Sequence, residues 1–469
     1  MTSELDRKVV PPDVSAAPRS RNDRVTFLLV AAVVAASFLG RYAFDVAGFT
    51  VRWEQVAPVA FVGWLIVQPR SRLDLLRTLR HPVVLTFFAF IVWNAASSVL
   101  FSPSLGKSVA ILGWLTIDLL LLAGLMSLGA RAVWAENVGI RFVVPWALAG
   151  FAMYLVANRT AGDVSWGTNL DSLYHVYVTR LSATEANIYA AILVFWTLML
   201  VARKGTDQRW MIAAAVTVPL GLIASQTRTA VFCMVMGLAV YVAYELVRRR
   251  RNPTPLRGFA FGPAAVVVGV LLAYGATTVL PDIERHQPAS PSSQDSRTDG
   301  SDDSSRPAPD KLGDIDFTGG TVGFRMAVAR EAAEEIQGVN LWLGNGTNTF
   351  GLRHEQPGSP GVSGHIIMLP VQILYDAGIV GLGILCAFGV VVWRHVPGRR
   401  RPIAAAIAAT FVAAATLTSM FWFSVVWIIV ASLLRPLSRG EDAGEGGARQ
   451  NEAAEHQSEL ETTEIEERT

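Results

Sequence analysis

Arg228 is the residue whose surroundings say most about chemistry. It lies in the segment 225–229, Ser-Gln-Thr-Arg-Thr, between two long apolar runs. A charge at such a place in a membrane protein is costly and usually has a partner or a function. A guanidinium presents a planar fork of donors that suits phosphate. Arg228 is therefore either a phosphate-binding residue or an interfacial arginine that reaches the lipid headgroups.

Two further arginines have the same two interpretations. Arg180 directly precedes an apolar segment, where it is an interfacial anchor or a second anion contact. Glu185 and Asn187 follow in the first turn of that segment, a position that caps or orients a helix. Arg325 lies on a short segment with helical spacing, either on a solvated face or at a binding site.

His365 stands directly before an apolar run that begins at Ile366. A histidine at that boundary can take a proton from a hydroxyl group. The alternative is an interfacial histidine with an ordinary hydrogen bond. Two carboxylates inside apolar runs, Asp118 and Asp376, are either site residues or satisfied polar contacts within the protein.

Motifs for other chemistries are missing from the sequence. It contains no P-loop, no HExxH, no GxSxG and no paired cysteine ligands. Cys233 and Cys386 lie in apolar runs and are predicted to be small core residues. We expect no cofactor and no metal site, so arginines would neutralise any bound phosphate.

The composition assigns these residues to a membrane protein. Of the 469 residues, 52% are hydrophobic and 17% are charged, whereas about a quarter of an average soluble domain is charged. The mean hydropathy is +0.38. The net charge of +2 indicates no nucleic-acid partner. The lipid bilayer is therefore the first partner that the sequence predicts.

Twelve apolar segments are candidates for helices that cross a bilayer, which needs roughly 20 residues each. The last two come from one long run, so the number is eleven or twelve. The segments lie near 25–44, 53–68, 82–101, 108–129, 138–157, 184–202, 210–226, 229–247, 258–280, 366–393, 403–418 and 420–435.

Lysine and arginine cluster in alternate connections, which the positive-inside rule assigns to the cytoplasm. Twelve spans then leave both termini in the cytoplasm. Segment 288–318 and the acidic C-terminal tail are predicted to be disordered, whereas 320–365 is predicted to fold. The predicted layout is a cytoplasmic tail (1–24), nine spans (25–280), a large outer loop (281–365), three spans (366–435) and an acidic tail (436–469).

The order of these motifs resembles the bacterial O-antigen ligase and O-antigen polymerase superfamily, which consists of multi-span glycosyltransferases of the GT-C type. Residues 180–187 resemble the family segment that opens the span before the central pair, and 225–230 resemble its S-x-S-R-x-x hairpin. Arg325, the turn 344–350 and the stretch 365–381 resemble its large periplasmic loop. That loop has an arginine, a G-x-G turn, and a histidine followed about ten residues later by E/D-x-G-x-x-G.

The resemblance implies an all-α, GT-C-like membrane protein that acts at the outer face of the bacterial cytoplasmic membrane. The implied donor is a glycan on a polyprenyl (undecaprenyl) diphosphate, and the acceptor is a glycan or glycolipid. The implied reaction inverts the anomeric carbon and needs no metal. The implied site consists of His365 as base, Arg228, Arg325 and more weakly Arg180 on the diphosphate, and Asn187 and Asp376 in support.

Other functions stay open at this point. A flippase or transporter for the same lipid-linked glycan would also place arginines near a diphosphate, although the sequence has no internal repeat. A peptidoglycan polymerase would need a catalytic aspartate in an outer loop, and we do not find the expected one there, although Asp163 and Asp171 are present. A non-enzymatic receptor would bind through the loop 281–365. The sequence does not separate a ligase from a polymerase.

Overall fold

The computed structural model describes residues 20–40, 42–46, 49–160, 167–171, 176–183, 185–203, 208–251, 262–272, 320–356, 359–363, 365–416 and 420–436. Most of them are helical, which confirms the prediction of a mostly helical, polytopic membrane protein. The segment predicted to be disordered, 288–318, and nearly all of both terminal tails lie outside the described residues.

The helices follow one another along the chain with short connections. Within the described residues they are α1 (Arg21–Ser37), α2 (Trp53–Val67), α3 (Pro69–Thr78), α4 (Pro82–Phe101), α5 (Leu105–Ser127), α6 (Val133–Thr160), α7 (Ala186–Val201), α8 (Gln208–Ala224), α9 (Arg228–Arg251), α10 (Gly262–Leu272), α11 (Gly320–Glu335), α12 (Val339–Leu343), α13 (Phe350–Arg353), α14 (Leu369–His395), α15 (Arg401–Ala415) and α16 (Ser424–Leu434).

Each of the twelve predicted apolar segments contains one of these helices. Five helical stretches of the described chain are long and apolar enough to cross a membrane: Pro82–Phe101, Leu105–Ser127, Gly129–Thr160, Arg228–Arg250 and Leu369–His395. The remaining segments contain shorter apolar helices. The number of twelve spans therefore stays a prediction.

Three antiparallel hairpins correct the prediction that the protein is entirely α-helical. Strand β1 (Ala43–Val46) pairs with β2 (Phe49–Arg52), β3 (Thr168–Asp171) with β4 (Val176–Thr179), and β5 (Glu355–Gln356) with β6 (Ser359–Ser363). All three hairpins lie in connections that the sequence assigns to the outer side. A two-stranded hairpin is at best marginally stable alone, so each depends on the helices beside it.

Ion pairs connect helix ends that the predicted topology places on the same side of the membrane. The Arg131 guanidinium, before α6, lies 2.9 Å from the Asp23 carboxylate near the start of α1. Glu136, near the start of α6, lies 3.3 Å from Arg400 and 3.2 Å from Arg435. These ends of α1, α6, α15 and α16 share the side that the sequence assigns to the cytoplasm.

The folded half of the large outer loop has a small hydrophobic core of its own. Val328, Ala332 and Ile336 on α11 are buried, as the helical spacing predicts. They pack with Phe350, with Ile366 and with Tyr375 on α14. The side chains of Val322 and Phe324, predicted to join this stripe, lie outside the described residues. The loop is thus fixed to the start of α14 by burial of apolar surface.

Helix α14 is broken at Gly378, where the backbone has φ +66° and ψ −171°. This conformation is essentially restricted to glycine. A Cβ built on Gly378 would overlap the carbonyl oxygen of Trp342 on α12. The break therefore lets the backbone of the outer loop approach the backbone of α14 directly.

The break also leaves backbone carbonyls of α14 free to accept hydrogen bonds from the glycine-rich turn. The Asn345 N–H donates to the Tyr375 carbonyl at 2.7 Å, and the Gly346 N–H donates to the Asp376 carbonyl at 3.1 Å. From α4, the Trp93 indole N–H donates to the Ala377 carbonyl at 2.8 Å. The break thus joins the turn, α4 and α14.

Replacing Gly378 by alanine is expected to destabilise this junction by about 1–3 kcal/mol, because that is the cost of holding a residue with a Cβ in the backbone conformation of Gly378. Gly383→Ala is the matched control on the same helix, since its Cβ would meet nothing within 4 Å. Thermal unfolding of both variants in detergent, with limited proteolysis of the outer loop, measures the effect. Equal stability and equal protease resistance of the two variants would contradict it.

Removing the buried carboxylate of Glu136 is expected to cost about 3–5 kcal/mol, because it leaves the buried guanidinium groups of Arg400 and Arg435 without this partner. Glu334→Ala is the control, since the Arg330–Glu334 pair is 84% and 69% exposed and such pairs contribute about 0–1 kcal/mol. Unfolding in denaturing detergent compares Glu136→Ala with this control. A similar midpoint for both variants would show that the buried cluster does not hold the helix ends together.

Candidate functional site

Arg325 lies on the buried face of α11. It precedes Val328 by three residues, and residues three or four apart on a helix share a face. Val328, Ala332 and Ile336 cover the rest of that face and pack into the small core. Arg325 is therefore drawn toward the protein by its own helix, whereas Arg330 points outward in the exposed pair with Glu334. The interpretation of Arg325 as a solvated residue is wrong.

A small pocket lies between α7, α9, α11 and α15. Its polar lining comes from the beginnings of helices, because Asn187 is in the first turn of α7 and Thr229 is in the first turn of α9. Thr227 and Arg325 complete this polar part. The apolar part is lined by Ala191, Val194, Ala230, Cys233 and Ala414, with Thr410 beside them.

The electrostatics of this pocket favour an anion. The N-termini of α7 and α9 carry partial positive charge and N–H groups without partners inside the helix, and residues of both first turns line the pocket. Burial lowers the pKa of the Arg325 guanidinium, and the charge of Glu185 partly offsets this effect. Arg325 Nε is buried and has no hydrogen-bond partner within the described part of the chain. A phosphate oxygen would supply the missing acceptor.

Arg228 is the first residue of α9, and its side chain is exposed. Its neighbours Thr227 and Thr229 line the pocket, whereas Arg228 itself does not. The hairpin before it is tight, because Gln226 has φ +51° and the Thr227 N–H donates to Ser225 Oγ at 3.2 Å. The structure therefore brings the backbone of Arg228 to the pocket rim.

The segment around Arg180 has a more distant relation to the pocket. The Arg180 N–H donates to the Gly167 carbonyl at 3.0 Å, beside the hairpin β3–β4, and its side chain is half-buried but does not line the pocket. Glu185 occupies the N-cap position of α7 without a capping hydrogen bond from its side chain. Glu185 thus lies at the predicted cap position without making that hydrogen bond, and its charge acts on Arg325.

His365 is exposed, in the connection between β6 and α14. It does not line the pocket of Arg325. The next residue, Ile366, is buried in the small core with Val328 on α11. Helix α11 therefore carries Arg325 and, one turn later, Val328. Val328 belongs to the same small core as Ile366, the residue after His365.

Asp376 has a structural position in the described chain. It is fully buried, and its Oδ1 accepts a hydrogen bond from the Asn348 N–H at 3.1 Å. Its backbone carbonyl accepts from Gly346 N–H and from Ser97 Oγ. Asp376 thus holds the glycine-rich turn against α14 and does not line the pocket. Asp118 is similarly a satisfied buried group, since Ser424 Oγ donates to its Oδ1 at 3.2 Å.

A second polar cluster, which the sequence did not indicate, surrounds His354. Its Nδ1 lies 3.0 Å from Glu331 and its Nε2 lies 2.9 Å from Glu335. The Tyr375 hydroxyl donates to Glu335 at 2.6 Å. A carboxylate lies near each ring nitrogen, so His354 connects α11 to the end of α13, although its Nε2 makes no hydrogen bond within the described residues. Among the described residues, no group of three His, Cys, Asp or Glu side chains could hold a metal ion.

Sequence reasoning also missed the contribution of α15 to the pocket. Thr410 and Ala414 line it, and the Thr410 hydroxyl donates to the Cys233 carbonyl at 3.2 Å. Cys233 is buried, as predicted, and it also borders the pocket, whereas Cys386 is exposed, so the prediction that it is a core residue is wrong. Nothing in the sequence signals this contact, because α9 and α15 are far apart along the chain.

Residues 212–386 match the family model described as O-antigen ligase. The matched range includes Arg228, Arg325, His365 and Asp376, whereas Arg180 and Asn187 precede it. No curated protein sequence matches the chain. The matched range begins in α8 and ends in α14, so it covers the hairpin, the outer loop and the break that positions them. By this match, which covers less than half of the chain, residues 212–386 are similar to the O-antigen ligase family.

Proposed function

We propose that this protein transfers a glycan from a polyprenyl diphosphate to an acceptor hydroxyl at the outer face of the bacterial cytoplasmic membrane. The match of residues 212–386 to the O-antigen ligase family model supports glycan transfer of this general type. The pocket around Arg325 supports the finer proposal, because it combines a half-buried arginine whose buried Nε lacks an acceptor with residues from two helix N-termini. The acceptor is either a glycolipid, as for a ligase, or a growing glycan, as for a polymerase.

The diphosphate of the donor is proposed to bind at the polar end of this pocket. Arg325 and Asn187 donate to phosphate oxygens from within it. Arg228 approaches from the rim, and Arg180 contributes at longer range as part of the surrounding positive charge. Fixed donors of this kind stabilise charge that develops on a leaving group without reorganisation. Because the polar lining consists of guanidinium, amide and hydroxyl groups, we propose that arginines rather than a metal supply this stabilisation.

His365 is proposed to act as the general base. It takes the proton of the acceptor hydroxyl, whose oxygen attacks the anomeric carbon of the donor glycan. The bond between that carbon and the diphosphate oxygen breaks, and polyprenyl diphosphate leaves with the electron pair. Direct displacement inverts the anomeric carbon. The exposure of His365 supports this role, since an incoming acceptor has to reach the base.

Asn187 and Asp376 support the site in different ways in this proposal. Asn187 contacts the anion directly from the first turn of α7. Asp376 acts through the glycine-rich turn that it holds, and so through the placement of the outer loop. A flippase remains the alternative function, because it would bind the same diphosphate without needing a base.

Arg325→Gln is expected to weaken binding of a polyprenyl diphosphate about 10- to 100-fold, because a charged hydrogen bond contributes about 1.5–3 kcal/mol. Arg330→Gln, on the exposed face of the same helix, is the control and should leave binding unchanged. Titration of the purified full chain with farnesyl diphosphate measures both variants. Equal affinity of the two variants would remove Arg325 from the site.

His365→Ala is expected to lower the rate of transfer about 10²- to 10⁴-fold while donor binding is retained, since the variant lacks only the base. Mass spectrometry of lipid-linked glycans in cells with the wild type, a deletion or His365→Ala measures the consequence. Accumulation on the outer leaflet is expected for the deletion and the variant. Accumulation on the inner leaflet in the deletion strain would indicate a flippase, and normal transfer by His365→Ala would exclude His365 as the base.

A further inference from the structure

Helix α12 exposes large apolar side chains within a loop that the sequence assigns to the aqueous outer side. Val339 is 61% exposed and Trp342 is 56% exposed. Both belong to a five-residue helix that packs closely on α14 with its other face. An exposed apolar patch of this kind usually marks an interaction surface. The position of α12 relative to α4 indicates what covers it.

The depth of α12 follows from its contacts with α14 and α4. The Trp342 carbonyl contacts Gly378 directly, and the adjacent Ala377 carbonyl accepts from the Trp93 side chain on α4. Trp93 precedes the outer end of α4, Phe101, by eight residues, or about 12 Å along the helix axis. Helix α12 therefore lies well below the end of α4 rather than above it.

Helix α4 itself has the length of a bilayer core. It contains 20 residues, which is about 30 Å of helix, and the hydrocarbon core is about 30 Å thick. It also has the composition of a membrane span. At the level of Trp93, its Val92 is 50% exposed, as expected for a residue that faces lipid. A segment at this level is inside the hydrocarbon of the outer leaflet.

The backbone after α12 meets the requirement for such a position. Irregular backbone at membrane depth is tolerated only where the protein satisfies its polar groups. Gly344, Asn345 and Gly346 are buried, and their N–H groups donate to carbonyls of Asn340, Tyr375 and Asp376.

The next two residues of the turn are satisfied by side chains. The Thr347 N–H donates to Ser98 Oγ at 3.0 Å, and its carbonyl accepts from Ser108 Oγ at 2.8 Å. The Asn348 N–H donates to the Asp376 carboxylate. A turn surrounded by water would not need this set of partners, because water would hydrogen-bond to its backbone.

We propose that α12 is embedded in the outer leaflet and that Val339 and Trp342 contact lipid chains. The segment from α12 to the glycine-rich turn is then a re-entrant part of the outer loop. It anchors the C-terminal end of α11, and with it the helix that carries Arg325, at a fixed depth in the bilayer. This inference depends on the position of α4 in the membrane and is independent of the proposed reaction.

Site-directed spin labelling of the full chain tests the position of α12. Val339→Cys and Trp342→Cys are labelled with a nitroxide in a Cys386→Ala background, since Cys386 is exposed and Cys233 is buried. The proteins are reconstituted into vesicles of phosphatidylethanolamine and phosphatidylglycerol. Collision rates with oxygen, which concentrates in lipid, and with a water-soluble nickel chelate are then compared.

Two control positions calibrate the measurement. Val92→Cys reports the lipid environment at the same level of α4, and Glu334→Cys reports the solvated face of α11. Labels at 339 and 342 are expected to match Val92→Cys, with high oxygen and low nickel collision rates. Nickel collision rates equal to those of Glu334→Cys would overturn the proposal, as would low collision rates with both reagents. The titration with farnesyl diphosphate does not depend on either result. The proposed position of α12 can therefore fail while the proposed diphosphate site stands, and the reverse.

Discussion

The direct contact between two backbones at Gly378 is the constraint on which the arrangement of the outer loop depends. In a regular α14, the carbonyls of Tyr375 and Asp376 would accept hydrogen bonds from N–H groups of the same helix. A Cβ at residue 378 would also overlap the backbone of α12. The break makes these carbonyls available to the N–H groups of Asn345 and Gly346. Because the small core around Val328 lies beside this junction, the orientation of α11 and of Arg325 depends on it as well.

Several charged groups of the described chain, among them Arg325, Glu54 and Arg401, have a buried atom that makes no hydrogen bond. Glu136 is buried with two arginines, and Glu54 with Arg52, so these charges are compensated within the protein. Arg325 is half-buried beside Glu185, yet its Nε has no acceptor in the described chain. Burying a polar atom costs free energy unless a hydrogen-bond partner, such as a ligand atom, offsets the cost. Arg325 differs from these groups in its position, because it lines the pocket between α7, α9, α11 and α15.

The sequence predicts the helices well, because apolar runs of bilayer length leave few alternatives, and all twelve segments contain helices. It also predicts the stripe of α11 from local spacing. It does not predict the pocket, since α7, α9, α11 and α15 meet only in three dimensions. The Asp376-Ala-Gly378 motif was readable as a site motif, but its role depends on a partner about 30 residues away, which local pattern cannot reveal.

Helix α11 combines two requirements that a transfer reaction would impose. At its beginning, Arg325 must be withdrawn from water to act strongly on a phosphate, because electrostatic interactions strengthen in a low dielectric. One turn later, Val328 packs near Ile366, and the adjacent His365 remains exposed to an acceptor. A rigid helix rises about 1.5 Å per residue, so it fixes the separation of these two regions. In the proposed function, α11 would thus hold the diphosphate site at a fixed distance from the surface that packs beside His365, as direct displacement requires.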